Sequence, residues 1–285
     1  MGRAADHGKF RGRRGKLAAT ARISSAGPGL RFGRPVPKGS PHSGTVLASG
    51  HLTALSVFTG AGGLDLGLHC AGFDIVGCVD LDLHARQTIR ANRPTCRFLE
   101  PHDITQLATL FEPKTLSIRR GDLDVLAAGP PCQPFSKAAQ WATNGKRGLS
   151  DPRAKCLAAF LRLVEKCLPR VVLMENVPGF IRGESSALPV LSRAFDRINR
   201  RHGTHYNVDH RELDSVDYGV PQRRRRVIVI ARRDGKAFDW PSPTHSHRPV
   251  RAYDALVGLR VRRAPPASGK WAALLPSIPE GQNYL

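Results

Sequence analysis

Short apolar runs rich in β-branched residues recur along the chain from Leu52 onward, and amphipathic segments separate them. This alternation is typical of a mostly parallel β-sheet covered by helices on both faces. The candidate strands are residues 54–58, 75–79, 124–128, 170–174 and 227–231. The sequence therefore predicts an α/β fold.

The clearest predicted helix follows Ser150, where Asp151 and Pro152 form a start signal and Pro169 ends the segment. Its apolar residues fall on one face: Leu157, Phe160, Leu161, Val164 and Leu168. A second helix is predicted over residues 186–203, with an apolar stripe of Leu191, Phe195 and Ile198.

Ligands of an open parallel sheet bind beyond the carboxyl ends of the strands. The first predicted strand runs into the sequence FTGAGG at 58–63, whose glycines let the backbone approach a nucleotide-like ligand. The second strand ends at Asp80, which can accept hydrogen bonds from ribose hydroxyls. Asp82 is an alternative for that role, and one of the two acids can instead be a helix cap.

The third predicted strand ends in the loop GPPCQPFS at 129–136, where a glycine and three prolines restrict the backbone around Cys132. A thiolate held on such a loop beside a ligand site favours covalent catalysis. The other cysteines, at 70, 78, 96, 156 and 167, are interpreted as inert small apolar residues. Since no CxxC pair occurs, neither a disulfide framework nor a zinc site is indicated, and a reducing compartment fits.

The fourth predicted strand ends at Glu175, beside the same crevice. Burying an acid costs free energy unless it is paired, which favours a functional role for Glu175. Four consecutive arginines at 223–226 precede the last strand, and alone they would indicate a solvated basic stretch. Because side chains alternate along a strand, Arg224 and Arg226 would share one face, which can point toward Cys132 and Glu175.

In this order, the residues resemble the cytosine-5 DNA methyltransferases, which use S-adenosylmethionine. The resemblance covers roughly residues 52–285 and rests on FTGAGG, Asp80, the HDIT around Asp103, GPPCQPFS, the ENV at Glu175 and YGVPQRRRRV. It implies a Rossmann-like methyltransferase fold, a flipped base in double-stranded DNA, and Cys132 as the nucleophile. It also implies a cofactor site formed by Phe58, Gly60, Gly62, Gly63, Asp80, Asp103, Ile104 and Pro130. Glu175, Arg224 and Arg226 would serve the flipped base.

The charge of the chain agrees with a nucleic-acid partner. The sequence has 44 Lys and Arg against 23 Asp and Glu, which gives a formal net charge of +21. Residues 1–50 hold ten of these basic residues and one acid, Asp6, and are predicted to form a disordered tail, with a phosphate-binding arm as the alternative. The sequence contains no run of 18 apolar residues, so we expect no membrane partner and a cytoplasmic, nucleoid-associated protein.

Residues 51–239 are predicted to form the catalytic domain, and the Pro-rich residues 240–285 the start of a smaller target-recognition region. Full members of the family continue into a recognition region and two further sequence blocks. We therefore expect this chain alone to be a poor or inactive methyltransferase, completed by a second polypeptide or encoded by a truncated gene. The alternative function is a partner-dependent or inactive half that mainly binds DNA.

A nicotinamide- or flavin-dependent oxidoreductase is a further alternative, because it would explain a glycine loop followed by an acid. The glycine spacing here is GxGG rather than GxGxxG, however, and this alternative leaves the loop of Cys132 without a role.

Overall fold

The computed structural model describes residues 51–131, 154–183, 186–258 and 272, and the described residues from 51 to 257 belong to one compact unit. This unit contains one sheet of strands β1 (Leu52–Val57), β2 (Phe73–Val79), β3 (Val125–Ala128), β4 (Val171–Asn176), β5 (Asn207–Asp214) and β6 (Arg225–Arg232). Their order across the sheet is β2-β1-β3-β4-β6-β5. The five predicted strands are present, and β5 is additional to them.

The described helices are α1 (Gly63–Cys70), α2 (Leu83–Asn92), α3 (Ile104–Leu110), α4 (Ala154–Cys167), α5 (Leu188–His202) and α6 (Ala252–Leu256). Short 3-10 turns lie at Pro113–Leu116, Pro178–Phe180 and Ser215–Tyr218. Both predicted helices, α4 and α5, are confirmed. The start signal at Asp151 and Pro152 lies outside the described residues. Helix α5 ends at His202, and its C-cap Gly203 adopts the left-handed conformation, with φ of 63°.

Helices cover both faces of the sheet, as predicted. Leu55 and Val57 of β1 face the larger apolar cluster, to which α3, α4 and α5 contribute residues such as Phe160 and Phe195. Ala54, which precedes Leu55, belongs to a second cluster on the opposite face, together with Leu68 of α1. The period-2 alternation of β1 thus separates two helical layers.

The strands β2, β1, β3 and β4 are parallel, and β6 is antiparallel to both β4 and β5. The prediction of a mostly parallel sheet is therefore confirmed. The prediction did not specify the direction of β6, which runs opposite to β4 and β5. Because β6 is reversed, it starts where β4 ends, with Val227 opposite Asn176. The arginine run lies just there, at the carboxyl edge of the parallel strands.

After β6, residues 238–245 return along β5, and we call them the return segment. Trp240 Nε1 donates to Asp209 Oδ2 at 2.8 Å, near the start of β5. Further along, the backbone N–H groups of Thr244 and His245 donate to the Asp217 carbonyl oxygen, just past the end of β5. The return segment therefore carries the chain from the edge where β6 ends back toward the edge where β6 begins.

No helix within the described ranges combines the length and the apolar character needed to cross a lipid bilayer.

Candidate active site

A cavity of about 730 Å³ opens where β1, β2 and β3 end, and we call it the strand-end cavity. Five residues of the predicted cofactor site line it: Phe58, Gly60, Asp80, Asp103 and Ile104. Gly62, Gly63 and Pro130 are not part of its wall, although Gly129 and Pro131 are. The structure thus brings together residues from Phe58 to Cys156, which lie 98 positions apart in the sequence.

The turn from β1 into α1 needs three residues with positive φ. Phe58 and Gly60 both have φ of 56°, and Gly62, the N-cap of α1, has φ of 86°. A non-glycine residue in this region costs about 1–2 kcal/mol, so Phe58 is held there by its surroundings. A methyl group on Gly62 would lie 3.4 Å from Ile89 Cγ1, an ordinary contact, so the positive φ rather than space requires glycine at 62.

The acids of the cavity are fixed by backbone hydrogen bonds. Asp80 Oδ2 accepts from the Gly60 N–H at 2.7 Å, and Asp80 Oδ1 accepts from the Asp82 N–H at 2.8 Å. Asp82 Oδ1 in turn accepts from the Ala85 N–H and caps α2. Asp82 is thus a helix cap that also lines the cavity, whereas Asp80 ties the glycine turn to the end of β2.

Asp103 has a similar double position, because it lines the cavity and caps α3. Its Oδ1 accepts from the backbone N–H of Thr105 at 2.8 Å and from the Thr105 hydroxyl at 2.7 Å. The cap fixes the carboxylate at the cavity wall through one oxygen only.

Two titratable side chains of the cavity wall, His102 and Cys156, were not predicted as site residues. His102 lines it with Nδ1 at 2.9 Å from the Leu99 carbonyl oxygen, and its position next to Asp103 is the one signal the sequence offers. Cys156 of α4, interpreted from sequence as inert, also lines the cavity. Burial, followed by the nearby Asp103 carboxylate, raises the pKa of the Cys156 thiol. A protonated, unreactive thiol agrees with an apolar wall residue rather than a nucleophile.

Glu175 lies at the end of β4 and is paired with Arg226 at the start of β6. Arg226 Nε is 2.9 Å from Glu175 Oε1, and the two side chains are 24% and 33% exposed. Ile228 is the direct cross-strand neighbour of Glu175, so Arg226 is the diagonal neighbour, within reach of a long side chain. The carboxylate is therefore half-buried and ion-paired, and the reversed direction of β6 supplies its partner.

The arginine run divides its side chains between two sets of partners. Arg223 and Arg225 each lie 3.9 Å from Asp214 of β5, whereas Arg226 reaches Glu175. The side chain of Arg224 is exposed, and its backbone N–H donates to Asp214 Oδ1 at 2.9 Å. Arg224 precedes β6, so it does not share a strand face with Arg226 as the alternation predicted; Arg226 lies against Glu175, and the Arg224 guanidinium is at the surface.

Cys132 lies outside the described residues, but the start of its loop is described and is anchored by Asn176. The Asn176 side chain is buried, donates through Nδ2 to the Pro130 carbonyl oxygen at 3.1 Å, and accepts through Oδ1 from the Val177 N–H at 2.9 Å. The sequence analysis gave Asn176 no role of its own, and its position directly after Glu175 was the available signal.

Gly129 joins the cavity to the ion pair. A methyl group at this position would lie 3.7 Å from the Phe58 carbonyl oxygen and 3.9 Å from Glu175 Oε2. The strand-end cavity, the Glu175–Arg226 pair and the start of the Cys132 loop therefore meet at one point, at the carboxyl edge of the sheet.

Comparisons with known proteins agree with this arrangement. A family model of C-5 cytosine-specific DNA methylases matches residues 52–265. The type II methyltransferase M.AquIA of Picosynechococcus sp. is 37% identical over 195 residues, which cover 67% of this chain and 76% of that protein. M.SacI of Streptomyces achromogenes is 34% identical over 262 residues, which cover 82% of this chain and 65% of that protein.

A solved structure from Escherichia coli, described as a DNA modification methyltransferase encoded within a prophage, superposes with a TM-score of 0.57 at 28% identity. The match covers 73% of this chain and 55% of that one. The Rossmann-like methyltransferase fold is thereby confirmed. The family match over residues 52–265 includes all six strands of the sheet, and the chain belongs to the C-5 cytosine-specific DNA methylase family.

Proposed function

We propose that this protein transfers a methyl group from S-adenosylmethionine to carbon 5 of a cytosine in double-stranded DNA, with Cys132 as the nucleophile. The observation that carries the proposal is the Glu175–Arg226 ion pair of 2.9 Å, beside Gly129 and the strand-end cavity. It supplies a positioned carboxyl group where the Cys132 loop and the cofactor site meet.

The residues of the strand-end cavity fit S-adenosylmethionine. Its volume lies within the range of about 300–1,000 Å³ of small-molecule sites, and its described wall carries Asp80, Asp82 and Asp103 but no lysine or arginine. Carboxylates suit ribose hydroxyls and a positively charged sulfonium, whereas the pyrophosphate of a dinucleotide calls for basic groups or an uncapped helix N-terminus. The N-termini of α2 and α3 at this wall are already capped by the carboxylates of Asp82 and Asp103. The charge of the wall thus favours S-adenosylmethionine over the cofactors of the oxidoreductase alternative.

When bound, S-adenosylmethionine would supply an electrophilic methyl group. Phe58 and Ile104 would pack against it, and Asp80 and Asp103 would accept its hydrogen bonds. The backbone of Gly60 is held close by Asp80, which keeps the wall in place before the ligand arrives.

The protein residues account for the remaining chemistry. The Cys132 thiolate forms a bond to carbon 6 of the cytosine, which makes carbon 5 nucleophilic enough to accept a methyl group. Glu175 shares a proton with ring nitrogen 3, and Arg226 fixes the orientation of the Glu175 carboxyl group. Loss of the carbon 5 proton after methylation then breaks the bond to Cys132 and restores the ring. The base must leave the duplex first, at a cost of a few kcal/mol, and basic side chains such as Arg224 would offset this cost through phosphate contacts.

The expected domain roles complete the proposal. Residues 51–239 would form the catalytic domain, residues 240–285 would begin the target-recognition region, and residues 1–50 would act as a basic tail on nucleoid DNA. A second polypeptide would contribute to target recognition. Co-purification with candidate partners, followed by tritiated methyl transfer into DNA with and without them, tests this part, and sequence-specific methylation by the purified chain alone would contradict it.

The chemistry is tested with a duplex that contains 5-fluorocytosine. Fluorine replaces the hydrogen on carbon 5, so no proton can be lost there and the bond to the protein cannot break. With the partner polypeptide present, we expect a covalent protein–DNA adduct that depends on S-adenosylmethionine and is lost in Cys132→Ser. Cys70→Ser is the matched control, because Cys70 is an exposed thiol at the end of α1. An adduct that survives Cys132→Ser would exclude Cys132 as the nucleophile. DNA binding without any methyl transfer, with partner added, would support the alternative of a non-enzymatic DNA-binding half.

A further inference from the structure

A second large cavity lies at the edge of the sheet opposite the strand-end cavity. It has a volume of about 790 Å³ and is lined by the last turns of α3, α4 and α5 and by the residues that precede β3. Because the strand-end cavity takes Ile104 and Cys156 from the first turns of α3 and α4, these two helices contact one cavity at each end. We call the second cavity the basic cavity.

The basic cavity has the opposite charge to the strand-end cavity. Its wall carries His202 and six lysines or arginines, and its acids are Glu112 and Glu165. The basic residues are Lys114, Arg119, Arg120, Arg162, Lys166 and Arg201. Of two cavities of similar size in one compact unit, one is therefore lined by acids and the other by cations.

Part of this positive charge is already paired. Glu165 Oε1 lies 2.8 Å from Arg201 Nη1 and 3.1 Å from His202 Nε2. Burial would raise the pKa of the Glu165 carboxyl group, but the hydrogen bonds from His202 and Arg201 outweigh burial and lower that pKa. Lys166 Nζ donates to the carbonyl oxygens of Thr109 and Phe111 at 2.9 and 2.7 Å.

Three cations of the wall remain for a ligand. In the part of the chain that the structure describes, the side chains of Lys114, Arg119 and Arg162 make no ion pair, and all three are exposed. They come from the 3-10 turn after α3, from the segment before β3 and from α4, so the fold gathers them from separate elements. Apolar residues such as Ala108, Pro113 and Ile118 complete the wall.

We infer that the basic cavity binds a small ligand with several clustered phosphate groups, of the inorganic or nucleoside polyphosphate class. Guanidinium groups bind phosphate oxygens through charge-assisted, often paired hydrogen bonds. The concave shape and the volume of about 790 Å³ suit a small molecule. A DNA duplex instead presents a convex cylinder, and in the proposed function it binds beside the strand-end cavity, at the other edge of the sheet.

The test is calorimetric titration of the full chain with inorganic tripolyphosphate, which lacks the adenosine that could enter the strand-end cavity. We expect one saturable site, weakened about tenfold or more in the double variant Arg119→Ala/Arg162→Ala. The matched control is Arg193→Ala/Arg197→Ala, which removes two exposed arginines of α5 that are not part of the wall. The basic residues at 1–50 are the same in all three proteins, so any binding there cancels.

Three results separate the possibilities. Equal weakening in both double variants, or no saturable binding by the unaltered chain, would overturn the inference, because the effect would then be general attraction to a cationic protein. The inference would also be overturned if Arg119→Ala/Arg162→Ala weakened the binding of a short DNA duplex as strongly as the binding of tripolyphosphate. The site would then be a DNA contact. Tighter binding of ATP than of tripolyphosphate would support the inference, provided that S-adenosylhomocysteine does not displace the ATP from the protein. The ligand would then be a nucleoside polyphosphate.

Discussion

Asn176→Ala tests how the Cys132 loop is held. The substitution removes the donor to the Pro130 carbonyl oxygen and the acceptor for the Val177 N–H. A buried polar group left without a partner costs about 1–3 kcal/mol. Pro130 is buried and Val177 is half-buried, so water can satisfy the second group more easily than the first. We therefore expect the free energy of unfolding to fall by about 2 kcal/mol, which lowers Tm by roughly 4–8 °C for a domain of this size.

The effect on catalysis should be larger than the effect on stability. A reacting group displaced by about 1 Å can lose about a hundredfold in rate, so we expect adduct formation with 5-fluorocytosine DNA to slow by one to two orders of magnitude at a temperature where the variant is folded. Urea unfolding and single-turnover trapping measure the two quantities on the same preparations.

Asn199→Ala is the matched control for this prediction. The Asn199 side chain makes hydrogen bonds to both backbone groups of Tyr206, at 2.8 and 2.9 Å, near the end of α5 and away from the site. It should lose similar stability and keep its trapping rate. If the two variants slow trapping equally, or if Asn176→Ala changes neither quantity, the reasoning about the loop anchor is wrong.

Three further outcomes are expected. Gly62→Ala should lower the free energy of unfolding by about 1 kcal/mol and weaken S-adenosylmethionine binding, because φ of 86° strains any residue with a Cβ; urea unfolding and calorimetry measure the two effects. Arg226→Met should reduce the trapping rate far more than Arg226→Lys, which retains a cation for Glu175; equal losses would show that charge at this position is irrelevant. Since the pKa of Glu165 is lowered by folding, its ionised form stabilises the protein above the pKa of the unfolded chain, near 4.3, and this stabilisation is lost as the pH falls through the folded pKa. Glu165→Gln should therefore lower Tm at pH 7 and have a progressively smaller effect below about pH 4.

The central strands and several residues that line the strand-end cavity were predictable because they share one physical cause. Burial on both faces makes a parallel strand a continuous apolar run, and the residue after each run falls at the ligand-binding edge. Ala54 and Leu55 are fully buried, and Phe58 and Asp80 then line the cavity. Position along a strand, without any knowledge of contacts, was enough to place them.

Other elements lacked such a signal. The edge strand β5 has the sequence NVDHRELD, whose exposed and half-exposed residues show no apolar alternation, and its pairing with β6 defines it. Likewise, Ile89 is the one buried residue of α2, too few for a stripe. The direction of β6 is a property of topology rather than of residue pattern, and so the pairing of Arg226 with Glu175 required the structure.

The return segment determines where later parts of the chain begin. Since β6 ends at Arg232, on the edge away from the site, a chain that continued directly would leave the sheet far from the Glu175–Arg226 pair. The segment instead passes along β5 to Asp217, a few residues from the arginine run. Pro241 and Pro243 cannot donate backbone hydrogen bonds, so they disfavour addition of this segment to the sheet as a seventh strand. In the proposed function, a DNA-reading element tethered after His245 would therefore start near the Glu175–Arg226 pair, at a high effective concentration.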